Sequence, residues 1–132
     1  MAFSTNYRTL PGVVAGADLS AKQFHIVKLS STTAGAVILN GTSLFAGNYV
    51  GVLMNKPASG EEAEVAIDGV CKMIVATSTI VAGDGIGCNT TSKGTDAGTT
   101  DNGPRIAKAV EASAAANDII TVMLYGGGGV RF

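Results

Sequence analysis

The residues best suited to chemistry are few in this sequence. His25 is its single histidine, so any Ser-His-Asp or Cys-His catalytic arrangement would have to use it. It lies within the alternating segment 23–29 with no nucleophile motif nearby, which indicates a structural or surface histidine. Cys71 and Cys88 are too few to hold zinc unaided, and no spacing joins them to His25 and a carboxylate. We therefore expect no catalytic residue and no metal site.

Three other sequence patterns resemble sites that bind a ligand or carry a cofactor, and each also has a purely structural interpretation. The glycine-rich run 83–87 resembles a phosphate-binding loop, but such a loop opens a helix, and β-type sequence follows here. The carboxylates at positions 61, 62 and 64 are typical of a solvated strand face. Lys72 precedes a methionine, as in biotin carriers, but it is predicted in mid-strand rather than at a tight turn. We expect no cofactor and no small-molecule substrate.

Composition and charge narrow the class further. The chain has 132 residues, enough for one domain, with 18 glycines, 14% charged residues and a net charge of −1. No basic stripe is present, so binding to nucleic acid is not expected. No apolar run reaches 18 residues, and the first eight residues lack the features of a secretory signal. We expect folding in a cytoplasm, no membrane contact, and two reduced cysteines in the core.

Short alternating and apolar runs separated by turn residues predict the elements that position these side chains. Segment 89–103 is rich in Thr, Gly, Ser, Asp and Asn and is predicted to be a long exposed loop. Segment 105–116 permits a helix or a strand, and we favour a strand to about Glu111 followed by an Ala-rich turn or one helical turn. Strands are predicted over 23–29, 36–39, 49–54, 62–68, 70–76, part of 80–88, 105–111 and 118–125.

About eight short strands with regular turn signals predict an all-β fold, a small sandwich or barrel. Asp68-Gly69 is interpreted as a turn or bulge between two strands. Residues 1–22 lack periodicity and are predicted to form an extended N-terminal arm. The predicted β domain covers 23–125, and a glycine-rich C-terminal tail covers 126–132.

One stretch of the sequence resembles a known family. The run Gly51–Val70 carries the pattern GV-x4-P-x2-GE-x3-V-x3-G, which resembles a hairpin of small tailed-phage head proteins known as capsid decoration or cement proteins. The resemblance covers roughly residues 18–125 and leaves out the C-terminal tail and the 89–103 loop. Further matching segments are 18–23, 82–84, 105–112 and 118–124.

This resemblance implies a non-enzymatic virion protein. It implies a homotrimer on the capsid exterior, at threefold or quasi-threefold positions, that binds the major capsid protein and cements the junctions between its subunits. Another phage head or tail component, or a β-sandwich ligand-binding module, remains an alternative. A glycan-binding module would normally show an exposed aromatic platform, and this chain has no Trp.

Both ends of the chain supply candidate contact residues. Aromatic residues are rare here, and the aperiodic arm carries two of them, so the hypothesised capsid contacts are Phe3, Tyr7, Arg8 and Leu10. Four consecutive glycines are entropically costly to order, so the residues after them are hypothesised to dock on a neighbouring subunit. These inter-subunit candidates are Val130, Arg131 and Phe132.

Overall fold

A computed structural model of the chain describes residues 6–41, 49–96, 104–125 and 130–131. These ranges contain twelve strands and no helical residue. The described part of the chain therefore has no helix that could cross a membrane. The predicted all-β class is confirmed. The strands are β1 Asn6–Thr9, β2 Val14–Ala15, β3 Ile26–Leu29, β4 Ala36–Leu39, β5 Tyr49–Leu53, β6 Val65–Ile74, β7 Gly85–Cys88, β8 Gly94–Asp96, β9 Pro104–Arg105, β10 Ala107–Ala109, β11 Ile119–Leu124 and β12 Val130–Arg131.

Ten of these strands form one open sheet. Its order is β2-β4-β3-β5-β6-β11-β10-β7-β8, with β1 added on β6, and β9 pairs with β12 separately. All pairings are antiparallel except that of β2 with β4. The strands predicted over 36–39 and 118–125 are confirmed almost residue for residue. Along β11, Ile120 and Val122 face the core while Ile119 and Met123 face outward, so large apolar side chains lie on both faces of this strand.

β6 organises the sheet. Ala66 pairs with both β5 and β1, whereas Gly69 and Val70 pair with both β11 and β1. Since a strand has two edges, β1 lies along one edge of β6 while β5 and β11 share the other. The predicted separation into two strands is wrong, because β1 pairs with both Asp68 and Gly69 and β6 continues through them. The alternative of a bulge agrees with the structure, since the register of β1 on β6 shifts between Arg8 and Thr9, next to Asp68.

Both ends of the open sheet return to the neighbourhood of β6. At one end, Gly94 of β8 forms a parallel bridge with Val75; at the other, Val14 of β2 bridges Glu62. Two clusters of buried apolar residues lie on the inner side of the sheet, whose two ends come back to β6. The larger cluster includes inward-facing residues of β6, β7, β10 and β11. The smaller cluster contains residues of β2 to β6 and residues of the segments next to β2 and β6. β6 contributes to both clusters, with Met73 in the larger and Val65 in the smaller.

The described part of the predicted N-terminal arm packs against the rest of the chain. Residues 6–9 pair with β6, and Val13, Ala15 and Leu19 are buried in the smaller cluster. Their apolar side chains are too widely spaced for a periodic signal, but tertiary packing uses each of them. Residues 6–19 therefore extend over the body of the protein.

Two further segments test the loop predictions. The predicted loop 89–103 contains β8, and Ser92 and Gly94 within it are buried, so this part of the prediction is wrong. The described residues of 105–116 contain strand and turn, as favoured from the sequence. The Ala-rich turn is closed by Asp118, whose Oδ2 accepts hydrogen bonds from the amides of Ala114 and Ala115 at 2.6 and 3.0 Å.

Candidate functional site

Three of the four hypothesised capsid contacts lie on or directly after β1. Tyr7 is opposite Gly69, and Arg8 is opposite Asp68. Glycine at position 69 permits this close approach. A Cβ atom there would lie 2.3 Å from the carbonyl oxygen of Asn6 and would collide with the backbone of β1. Its φ of +101° also favours glycine. Phe3 lies outside the described residues.

Tyr7 is held by contacts within its own chain. Its hydroxyl donates a hydrogen bond to the Glu64 carboxylate, and its ring packs against the larger apolar cluster. This hydrogen bond, together with burial and the Glu64 charge, raises the pKa of Tyr7 to about 12. The phenol therefore stays protonated at all physiological pH values and ties β1 to the body.

Arg8 remains the accessible residue of this group. Its guanidinium Nη2 lies 3.1 Å from Asp68 Oδ2, and the two side chains are 77% and 45% exposed. An ion pair this exposed contributes little to stability, so a partner could recruit either charge at small cost. Leu10 differs, because its amide donates to the Val65 carbonyl at 3.0 Å and its side chain packs against the smaller cluster.

A cleft lies beside this segment. It has a volume of about 380 Å³ and is bounded by residues 9–12 on one side and by Asn55 and residues 62–64 on the other. The Asn55 side chain holds its rim together, donating to the Glu62 carbonyl and accepting from the Glu64 amide, both at 3.0 Å. Glu61, Glu62 and Glu64 are all exposed, as predicted for a solvated acidic face.

The groups considered for chemistry occupy structural positions. His25 is buried, its Nδ1 lies 3.3 Å from the Gln23 carbonyl oxygen, and burial lowers its pKa. Cys71 and Cys88 are buried and unbridged, as predicted, and burial raises their pKa values to about 12 and about 11. Thiols with such pKa values are poor nucleophiles at neutral pH. Among the described residues, no three His, Cys, Asp or Glu side chains are placed to hold a metal ion.

Two other sequence patterns also have structural roles. Lys72 lies in the middle of β6, where its Nζ donates to Thr121 Oγ1 at 2.7 Å. The 83–85 run forms a turn leading into β7, with Asp84 Oδ2 accepting from the Val81 amide at 3.0 Å. Neither arrangement provides a reactive group at an accessible turn.

A further candidate surface was missed by the sequence reasoning. Ile119 and Met123 are 49% and 44% exposed, and both lie on the outward side of β11. They are paired with Ile74 and Val70 of β6, which are partly exposed. The sequence shows that β11 carries large apolar residues on both faces, but it does not show which of the two faces is covered. We call this surface the outer β6–β11 face; it comprises Val70, Lys72, Ile74, Ile119, Thr121 and Met123.

The C-terminal candidates are only partly described. Val130 and Arg131 form β12, which pairs with Arg105 and Pro104 of β9. Phe132 lies outside the described residues. The register shows that this end of the chain returns to its own β9, and the proposed docking on a neighbouring subunit stays a prediction.

Comparison with known families identifies the family to which this all-β chain belongs. Residues 22–124 match the family model of phage cement proteins, which is 103 of the chain's 132 residues. The chain belongs to the phage cement protein family, and its place is therefore with the capsid of a bacteriophage. No curated protein matches the chain. The matched region begins just before β3 and ends with β11, so it includes nearly all of the sheet.

Proposed function

We propose that this protein binds the outer surface of a phage capsid, without catalysing a reaction, and stabilises the junctions between major capsid subunits. The observation that carries this proposal is the family match over most of the β body. The buried, unreactive cysteines and the buried histidine are consistent with a structural role.

Stabilisation of this kind follows from mass action. A protein that binds the assembled lattice but not the dissociated subunits shifts the equilibrium towards the intact shell. The homotrimer implied by the family resemblance would strengthen this effect, because the second and third contacts of a bound trimer form at a high effective concentration. The host cytoplasm is the proposed place of folding, before the protein joins the capsid exterior.

The proposed capsid contact includes Arg8. Its side chain is 77% exposed and extends from β1, which is paired with β6. A fixed but exposed cation can bind an acidic group of the capsid with little further ordering cost. Tyr7 and Leu10 hold β1 in position, because both side chains pack against apolar clusters of the same chain. Their predicted role as direct capsid contacts therefore has less support than that of Arg8.

Expanded capsids lacking this protein provide the direct test of the proposal. Adding purified protein should give saturable binding at a fixed ratio to the major capsid protein and should raise the temperature at which the shells dissociate. Failure to bind, or binding without any stabilisation, contradicts the proposed function. Light scattering of the purified protein tests the homotrimer separately.

Arg8→Glu tests the capsid contact itself. We expect at least a tenfold loss of capsid affinity, with a weaker dependence on salt, because a cation at the rim is replaced by an anion. Glu61→Gln is a suitable control: it changes one exposed charge and retains an oxygen to accept the Ala58 amide hydrogen bond. Equal affinity of the two variants would remove Arg8 from the capsid contact.

A further inference from the structure

Three left-handed backbone positions meet at one place on this protein. Among the described residues, those with positive φ other than glycine are Phe24, Ser92 and Asn117, at +70°, +65° and +68°. The amide of Ile26 donates to the Ser92 carbonyl at 2.7 Å, so the chain just after Phe24 lies against Ser92. Asn117 joins them through Lys93, whose Nζ donates to Asn117 Oδ1 at 2.5 Å. Backbone conformations of this kind are uncommon for residues with side chains and are concentrated at functional sites.

Backbone hydrogen bonds fix Lys22 and His25 beside this cluster. The His25 amide donates to the Lys22 carbonyl at 3.1 Å. Phe24, between them, donates to the Leu53 carbonyl at 2.6 Å and accepts from the Ile74 amide at 3.0 Å, which ties the turn to the ends of β5 and β6. The positions of Lys22 and His25 are therefore set by the sheet.

The charges that act on His25 within the described ranges both come from lysines. Burial lowers the pKa of His25, and the charges of Lys22 and Lys93 lower it further. Neither lysine forms an ion pair with a described residue. The carboxylates nearest in sequence, Asp18 and Asp118, accept hydrogen bonds from backbone amides of their own turns. In a chain with 10 acidic and 9 basic residues, this place has a local positive charge without a described counter-charge.

The hydrogen-bond donors of these groups are only partly used. An ammonium group has three N–H donors, and Lys93 spends one on Asn117. His25 Nδ1 lies against the Gln23 carbonyl oxygen, whereas Nε2 has no hydrogen bond to a described residue and is not fully buried. Lys22 and Lys93 are both half-buried. Hydrogen bonds from such cations to an anion are about twice as strong as bonds between neutral groups.

We propose that Lys22, His25 and Lys93 form a binding site for a carboxylate, supplied by an acidic side chain of the major capsid protein. The two oxygens of a carboxylate can accept hydrogen bonds from both ammonium groups and from the imidazole, and its charge offsets the repulsion between the cations. The capsid as its source rests on the proposed function. The site lies beside Ile74, six residues along β6 from the partner of Arg8, which is about 20 Å of strand. The two contacts can therefore be disrupted independently.

His25 is the single histidine of the chain, so its ring protons report on this site in NMR spectra of the full-length protein. A tetraglutamate peptide, added at constant ionic strength, should move the His25 signals saturably and raise the pKa of His25, because an adjacent carboxylate favours the imidazolium. The double variant Lys22→Gln with Lys93→Gln should weaken peptide binding at least about tenfold. Lys28→Gln with Lys108→Gln is the matched control, because it removes two positive charges that do not act on His25; it should change peptide affinity less than about twofold.

Expanded capsids test the source of the carboxylate. The Lys22 and Lys93 double variant should bind them at least about tenfold more weakly than the control double variant. Equal capsid affinity of the two overturns the capsid assignment, as does a loss of self-association in place of capsid binding, which would assign the carboxylate to a neighbouring copy. Urea unfolding checks that both double variants fold.

The peptide titration of the wild-type protein needs neither a variant nor a capsid. His25 signals that do not respond to tetraglutamate overturn the carboxylate site itself. Failure of the wild-type protein to bind capsids contradicts the proposed function instead, so the two failures are distinguishable.

Discussion

Replacement of Gly69 by alanine tests the position of β1, which carries Arg8. Gly69 lies in β6 opposite Tyr7, with a φ of +101°. An added Cβ would be 2.3 Å from the carbonyl oxygen of Asn6 and 2.9 Å from the Cα of Tyr7. Both are backbone atoms and cannot rotate away, so β1 has to move off β6.

The cost of this substitution has two parts. Backbone strain at positive φ costs about 1–2 kcal/mol for a residue with a Cβ. Displacing a packed strand adds about 1–3 kcal/mol, as for other overpacking substitutions. Gly83→Ala isolates the first part, because Gly83 has a similar φ of +95° and an added Cβ there meets nothing within 4 Å. The free energy of unfolding should therefore fall further for Gly69→Ala than for Gly83→Ala, by about 1–3 kcal/mol.

Urea unfolding of both variants measures this difference, first in the full chain and then in a chain lacking residues 2–9. Deletion removes the obstructing backbone, so the two substitutions should then cost the same, about 1–2 kcal/mol each. The reasoning is refuted if Gly69→Ala and Gly83→Ala are equally destabilising in the full chain, or if the excess persists after the deletion. Either result would mean that β1 does not lie against Gly69.

Three titration and reactivity measurements test other contacts. Cys71 and Cys88 should resist a thiol reagent at pH 8 in the folded protein and react fully in urea; rapid labelling of the native state would contradict their burial. His25 is held neutral by burial, so the unfolded chain binds more protons near its ordinary pKa of 6.5. Stability should be complete above about pH 6.5 and decline below it, and a decline that persists in His25→Gln would exclude this cause. In an absorbance titration, one tyrosine should ionise near pH 12, and Glu64→Gln should bring that transition to lower pH; an unchanged curve would show that Glu64 does not hold Tyr7.

Local patterns succeeded where a short, mainly apolar run is bounded by turn residues. β4 and β11 were predicted with nearly correct bounds, and the two cysteines were correctly placed in the core. β8 was missed because Gly94–Asp96 has no apolar side chain to mark it. Gly94 is required by its neighbours: a Cβ there would lie 2.7 Å from Met73 Sδ and 2.9 Å from a methyl carbon of Ile86. Such a requirement depends on residues distant in the chain and leaves no local pattern.

The two candidate surfaces, Arg8 and the outer β6–β11 face, also differ in whether the sequence could reveal them. Arg8 could be selected from the sequence because it is a charged residue in a segment with few other features, whereas its partner Asp68 is 60 residues away. The outer β6–β11 face could not be found from β11 alone, because which side of a doubly apolar strand is covered depends on the strands packed around it.

Composition, alternation and turn residues by themselves determined an all-β, weakly charged protein without a recognisable catalytic motif. Tertiary structure alone decided that β6 runs unbroken through Asp68-Gly69, that residues 6–9 lie along its edge, and that Ile119 and Met123 remain exposed. The physical reason is that alternation is set within one strand, whereas edge pairing and burial are set by backbone and side-chain contacts between segments far apart in sequence.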